Sequence, residues 1–257
     1  MPQLHALPAF HDNYIWVLAD PDGRAVVVDP GEAAPVIDAS TRGLRPVAIL
    51  LTHHHADHIG GAAELKARWK IPCYAPQDER IDCADGFVDS HSKVRIKAMD
   101  IAFDVLNVPG HTRSHIAFTG AGRLFCGDTL FSLGCGRLFE GTPSQMLESL
   151  DRLAALPDDT EVCCGHEYTL ANAQFAAVIE PDNAALKQRT SEARRLRSVG
   201  QPSLPSRIGG ERATNPFLRC AEPAVVRAVA IRLGREPQNR TEIFATLRTW
   251  KDGFLAA

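Results

Sequence analysis

Short apolar runs dominate the first two-thirds of the chain, and turn-forming residues close most of them. Tyr14 to Leu18 and Ala25 to Val28 predict two strands of a hairpin, with Asp20-Pro21-Asp22-Gly23 as the turn. Val47 to Leu51 is a continuous apolar run of the kind a buried strand carries. Ala62, Leu65 and Trp69 then recur at helical spacing within Gly61 to Trp69. Further strands are predicted at Phe103 to Val108, Leu124 to Cys126 and Val162 to Cys164, with a helix over Ser144 to Leu156 ahead of the last. This alternation predicts a mixed α/β layer arrangement.

From about Tyr168 the pattern becomes helical. Helices are predicted over Leu170 to Val178, Ala184 to Ser198, Ala224 to Leu233 and Thr241 to Lys251. The Pro- and Gly-containing stretch Gly200 to Gly210 reads as a loop, and no strand is expected in this tail. A boundary near Tyr168 therefore divides the chain into an α/β domain, 1–167, and an all-helical domain, 168–257. The tail is rich in Arg, most of which reads as solvated helix face.

Composition narrows the class. The 257 residues are 45% apolar and 23% charged, as in ordinary soluble globular proteins. A formal charge of -3 leaves no polybasic excess to attract nucleic acid or an anionic membrane. No stretch approaches the roughly 18 apolar residues of a membrane span. Met1 to Asp20 offers neither a basic segment nor a small-residue cleavage site, so secretion is not expected and the chain is read as a cytoplasmic monomer. The seven cysteines include no CxxC pair, and adjacent Cys163 and Cys164 read as buried thiols in a reducing compartment.

The histidines carry the chemistry. Thr52-His53-His54-His55-Ala56-Asp57-His58 places an HxHxDH pattern between a predicted buried strand and a predicted helix. Imidazole and carboxylate together suit Zn, Fe or Mn, whereas Ca and Mg prefer oxygen-only shells. Further candidate ligands follow glycines at other strand ends: His111 after Gly110, Asp128 after Gly127, and His166 after Gly165. Glycine lets the backbone turn sharply there and aim a side chain into a shared site. His5, His11, His54 and His91 fall outside the pattern. His115 is a candidate for orienting a ligand, and Asp29 for supporting the metal loop. No GxSxG elbow or Walker-type loop is present.

The ordered set HxHxDH, His, Asp, His resembles that of the metallo-β-lactamase superfamily. The resemblance implies a four-layer αββα sandwich binding two divalent metals, with zinc foremost and iron or manganese open. By position, His53, His55 and His111 hold one metal, Asp57, His58 and His166 the second, and Asp128 bridges both. Asp57 and Asp128 thereby act in catalysis through a metal-bound hydroxide. A thiol leaves readily, with a pKa of about 8.5, so a thioester suits a site made almost wholly of metal ligands.

Beyond the ligands the chain resembles bacterial glyoxalase II over nearly its whole length. The matching stretches are Pro8-Ala9-Phe10, Asp12 to Trp16, Gly127 to Phe131, Gly134 to Thr142, His166 to Thr169, Asn215 to Arg219 and Arg248 to Phe254. That family implies hydrolysis of S-D-lactoylglutathione to glutathione and D-lactate, the second step of methylglyoxal detoxification. It also implies glutathione contacts from Arg137, Phe139, Tyr168, Arg248 and Lys251. Phe139 stands where some relatives have tyrosine, which removes a phenolic hydrogen bond. Two other readings remain open: a mono-iron glutathione-persulfide dioxygenase of the same superfamily, and a non-catalytic metal-binding module.

Overall fold

The computed structural model describes residues 2–254; residues 1 and 255–257, at the outer ends of the two expected domains, lie outside the described residues. The chain forms two compact units. The first holds the chain up to Asn107, Ser114–Gly127 and Cys163–His166; the second holds Val108–Arg113, Asp128–Val162 and the chain from Glu167 onward.

In the first unit, β1 (Gln3–Ala9), β2 (Asn13–Ala19), β3 (Arg24–Val28), β4 (Arg45–Leu50), β5 (Cys73–Ala75) and β6 (Gly86–Phe87) form one sheet in chain order. Pairing is antiparallel from β1 to β3 and parallel from β3 to β6. The connections explain the change. The Gly23 N–H donates to the Asp20 carbonyl at 2.9 Å and Gly23 takes φ 82°, which closes the β2–β3 hairpin. Parallel neighbours need crossovers instead, supplied by α1 (Ala34–Thr41) and by α2 (Ala56–Ile59) with α3 (Ala62–Trp69). β2 is buried at every position, as a strand covered on both faces must be. Val36 of α1 and Leu65 of α3 join Val17, Val27 and Ile49 in one apolar cluster.

A second sheet of this unit joins β7 (Lys93–Ile96), β8 (Ile101–Asn107), β9 (Ile116–Gly120) and β10 (Arg123–Gly127) as antiparallel neighbours. Phe103, Phe118 and Phe125 are wholly buried in it. Just past Cys164, the Gly165 N–H donates to Gly127 O at 3.0 Å. Trp16 on β2 donates its indole N–H to Cys164 O at 2.8 Å, linking the two sheets.

The second unit carries β11 (Leu130–Phe131) with β12 (Gly134–Cys135), then α4 (Pro143–Ala154), the start of β13 (Glu161–Cys164), α5 (Thr169–Ile179), α6 (Ala184–Ser198), β14 (Ser206–Arg207), α7 (Ile208–Thr214), α8 (Pro223–Leu233) and α9 (Arg240–Asp252). Thr142 and Gln145 form a capping box at α4, while Asn183 and Asn239 cap α6 and α9 through their side chains.

Two expectations for the tail are corrected. The tail does contain a strand: β14 pairs with β13 through Glu161↔Arg207 and Val162↔Ser206. The stretch from Gly200 to Gly210 is also not all loop, because α7 begins at Ile208 despite Gly209 and Gly210. A two-residue strand is too short to show alternation. The α7 glycines, which cost about 1 kcal/mol each against alanine, are outweighed by tertiary bonds. Ile208 N–H donates to Thr160 O at 3.1 Å and Gly209 N–H to Asp158 O at 3.0 Å.

Candidate metal centre and substrate cavity

The metal loop begins where β4 ends, and it is held by a carboxylate from the neighbouring strand. Asp29 follows β3 in a left-handed conformation, φ 50°. Its carboxylate accepts the Thr52 N–H at 2.8 Å, the Thr52 hydroxyl at 2.7 Å and His58 Nδ1 at 3.0 Å. The Thr52 hydroxyl oxygen in turn accepts from His53 Nδ1 at 3.1 Å. The His53 ring is sealed from behind by His115, stacked at 4.5 Å and 15°. Gly127 is required there. It takes φ 46°, and a Cβ would collide with Thr52 Oγ1 and press on the His115 ring.

These bonds fix tautomers. A carboxylate can only accept, so Asp29 makes His58 Nδ1 the protonated nitrogen. Asp12 does the same for His166, whose Nδ1 donates to it at 2.8 Å. The Nε2 atoms of His166 and His58 lie 3.3 and 3.6 Å from Asp57 Oδ2. In neutral imidazoles those nitrogens present lone pairs, so two lone pairs and a carboxylate face one another. That arrangement is repulsive without a cation. Ligand atoms from Asp57, His58 and His166 all lie within 4.8 Å of one another, and a mixed nitrogen–oxygen donor set fits a transition-type divalent ion. Asn13 holds the Asp57 carboxylate from outside, donating Nδ2 to Oδ2 at 2.9 Å. Elsewhere in the loop, His53 Nε2 lies 3.1 Å from His55 Nδ1.

The second unit repeats this logic with His111 and Asp128. The Arg137 carbonyl accepts from His111 Nδ1 at 2.9 Å, leaving His111 Nε2 to face Asp128 Oδ2 at 3.4 Å. His111 and Asp128 line one end of a cavity of about 480 Å³ whose wall also includes Arg137, Phe139, Tyr168, Arg248 and Lys251. All five residues expected to touch substrate therefore face one space.

Their states differ. The Arg248 side chain is 7% exposed, and its guanidinium is already engaged: Nη1 donates to Cys135 O at 2.7 Å and Nη2 pairs with Asp252 at 3.0 Å. The Arg137 side chain is 65% exposed, 3.7 Å from Asp252. Lys251 sits between these conditions. Burial, and then the nearby Arg248 and Arg137 charges, lower its pKa below the ordinary lysine range. Phe139 is exposed, with its ring 5.2 Å from that of His111, and the Tyr168 ring meets Phe131 edge-on.

Several positioning residues escaped the sequence reading. Asp12 and Asn13 lie in a quoted motif, yet only the fold brings them to His166 and Asp57. His54, assigned no part, lies 3.5 Å from Asp78, whose carboxylate also accepts the Ser114 hydroxyl at 2.6 Å. The Arg80 guanidinium holds that Asp78 carboxyl well below the usual carboxylate range. Cys135 lines the cavity, and burial pushes its thiol up to about 11.

Comparison with known proteins agrees with this geometry. Residues 10–166 match the metallo-β-lactamase superfamily, and residues 167–254 match the family described as hydroxyacylglutathione hydrolase C-terminus. A hydroxyacylglutathione hydrolase from Xanthomonas euvesicatoria pv. vesicatoria is 57% identical over 98% of this chain and 99% of its own. One from Xylella fastidiosa strain M12 is 54% identical, covering 98% and 97%. The chain belongs to the hydroxyacylglutathione hydrolase family. Its fold is that family's α/β metallo-β-lactamase sandwich with a helical C-terminal region. The crystal structure of BLEG-1 B3 metallo-β-lactamase matches at TM-score 0.63 and 26% identity over 85% of this chain and 99% of that one. That of ETHE1 from Myxococcus xanthus matches at TM-score 0.65 and 24% identity over 98% of each chain, a likeness of fold alone. Membership of the hydroxyacylglutathione hydrolases favours thioester hydrolysis over the persulfide dioxygenase and the non-catalytic module. The His and Asp cluster is correspondingly a divalent-metal site. No described helix is long and apolar enough to cross a membrane.

Proposed function

We propose that the chain hydrolyses S-D-lactoylglutathione and related 2-hydroxyacyl glutathione thioesters to glutathione and the free hydroxy acid. It is a thioester hydrolase. The observation that carries the reading is the convergence of Asp57, His58 and His166, with both imidazoles oriented by carboxylates, in a chain of this family. The metal assignment is two ions, zinc foremost. Asp57, His58 and His166 would hold one, His53, His55 and His111 would hold the other, and Asp128 would serve both. His111 and Asp128 enter on the order of the family's motif. Bound divalent ions acidify water and polarise an acyl oxygen.

The remaining steps fall to the chain's own side chains. Asp29 and Asp12 fix the ring orientation and tautomer of His58 and His166, so that in the neutral imidazoles it is Nε2 that carries the lone pair toward the metal site. Arg137 and Lys251 draw the glutathione carboxylates into the cavity, and Arg248, held in place by Cys135 and Asp252, lines it beside them as a third cation. Phe139 and Tyr168 offer ring faces to the peptide. The departing thiolate needs no proton from a side chain, because its conjugate acid has a pKa of only about 8.5. Residues 1–167 supply the metal-binding side chains together with Arg137 and Phe139, and residues 168–257 add Tyr168, Arg248 and Lys251 to recognition. The protein works as a cytoplasmic monomer.

A spectrophotometric assay with S-D-lactoylglutathione, run beside metal analysis of the same preparation, tests the proposal. Thioester loss with about two ions per chain supports it. A fully metal-loaded, folded enzyme that leaves the thioester intact overturns the reaction, and full activity with one ion per chain overturns the two-ion assignment.

A further inference from the structure

The first unit holds a second cluster of reactive side chains, unrelated to the metal loop. Cys73 on β5 and Cys83 in the loop after it lie in one cluster of buried side chains, and each thiol shifts the ionisation of the other. Asp85 fixes the pair. Its N–H donates to the Cys73 carbonyl at 2.8 Å and its Oδ2 accepts the Cys73 N–H at 2.9 Å. Lys66 on α3 closes the arrangement, donating Nζ to the Cys83 carbonyl at 2.8 Å and pairing with Asp85 Oδ1 at 2.7 Å. A cavity of about 600 Å³ opens beside it, lined by Lys66, Lys70, Asp82, Cys83 and Asp85. Cys83 lines that cavity and Cys73 does not. Cys83, at 9% exposure, is also the most accessible of the seven free cysteines, whereas Cys73 is fully buried.

We propose that Cys83 and Cys73 form a thiol-modification site that takes a small disulfide from the cavity, Cys83 attacking and Cys73 resolving. In the first step the Cys83 thiolate attacks one sulfur of the small disulfide. A mixed disulfide forms on Cys83 and one thiolate leaves, taking a proton from solvent. In the second step Cys73 loses its proton and attacks Cys83 Sγ, the mixed disulfide breaks, and the second small thiol departs. The pair is oxidised by two electrons to a Cys73–Cys83 disulfide, and the small disulfide is reduced to two thiols.

The environment suits this order. The neighbouring Cys73 thiol holds the Cys83 thiol below the ordinary thiol range, with the Lys66 charge assisting. Cys83 in turn, together with burial, pushes Cys73 up. Once Cys83 is capped its negative charge is gone, and that restraint on Cys73 ionisation falls away. Cys135 and Cys220 are excluded by contrast, since burial pushes them up to about 11 and about 12. The site is separate from the proposed catalytic reading, although Cys73 pairs with Ile49 on β4, the strand that leads into the metal loop.

Glutathione disulfide is the probe. The native, metal-loaded full chain is incubated with it near neutral pH, quenched with iodoacetamide, digested and mapped by mass spectrometry. The expected product is a Cys73–Cys83 cross-linked peptide pair that has lost two hydrogens. Cys73→Ser is expected to stop at a glutathione adduct on Cys83, because serine cannot resolve. Cys83→Ser is expected to give neither product. Adducts that favour any other cysteine, a Cys73→Ser variant that gains none on Cys83, or cross-linking that appears only after urea would each overturn the proposal.

Discussion

The metal loop and the cation-lined cavity solve opposite problems. In the loop, His58 and His166 each spend one nitrogen on a buried or half-buried partner, Asp29 and Asp12 respectively, so that the other nitrogen is fixed in place and the tautomer is set. Such a site is rigid before any ligand arrives. The cavity of the second unit mixes restraint with freedom: Arg248 is buried and committed to Cys135 and Asp252, whereas Arg137 is largely in water. Fixed geometry suits bond breaking, where small displacements are costly. Mobile cations suit capture of a flexible, charged peptide, where long-range attraction matters more than exact placement.

That contrast breaks most decisively at Asp57. Asp57→Ala removes the carboxylate facing both His58 and His166, and is expected to lower kcat by at least about 100-fold while about one ion per chain is lost. Metal analysis and turnover on the same sample check it, with circular dichroism to verify folding. A variant that keeps both ions and normal turnover would sink the placement of the metal site.

Asp12→Ala probes orientation without touching a ligand. His166 keeps its place in the chain but loses the acceptor that fixes its tautomer. Metal affinity or activity is expected to fall about 10- to 100-fold, measured by competition with a chelator. If affinity stays unchanged, the carboxylate is a bystander and the rigidity attributed to the loop lies elsewhere.

At the cations of the cavity the expected effects are smaller and appear in a different constant. Lys251→Ala is expected to raise KM for S-D-lactoylglutathione about fivefold, a fraction of a full charge-assisted hydrogen bond because the group is only half-buried. The kcat and metal content are expected to hold, and the KM effect to shrink with added salt. An equal fall in turnover of a small uncharged thioester would show that Lys251 does not act through recognition of the glutathione carboxylates.

The mildest effect is on pH dependence. Lys251 has a folded pKa below its unfolded value, so the unfolded chain binds more protons between the two. Its penalty on stability is fully present below the folded pKa and is relieved as pH rises through the window to the ordinary lysine value. Over that window the wild type is expected to gain stability relative to Lys251→Met, while its KM climbs as the ammonium is lost. Urea unfolding and KM measured across alkaline pH check the two together; parallel stability curves would remove the depressed pKa from the account.

How much was legible beforehand follows from the range of the forces involved. Ala184–Ser198 was bounded correctly because a long helix advertises its period and its Asn183 cap locally. β14 and the start of α7 were missed because their hydrogen bonds go to Glu161, Val162, Asp158 and Thr160, which no local window contains. The candidate ligands were legible as residue types, four of them in the single His53 to His58 segment and His111, Asp128 and His166 each directly after a glycine.

By itself, then, the sequence determined the family, the alternation of strands and helices, the nitrogen–oxygen donor set and the basic character of the last helix. Tertiary structure alone decided which nitrogen of His58 and His166 carries the proton, that Arg248 is buried while Arg137 is not, and that Lys66 and Asp85 gather Cys73 and Cys83 together. The physical reason is common to all three. Composition and periodicity are local properties of the chain, whereas a tautomer, a desolvated charge or a thiol cluster depends on what distant segments place within a few ångströms.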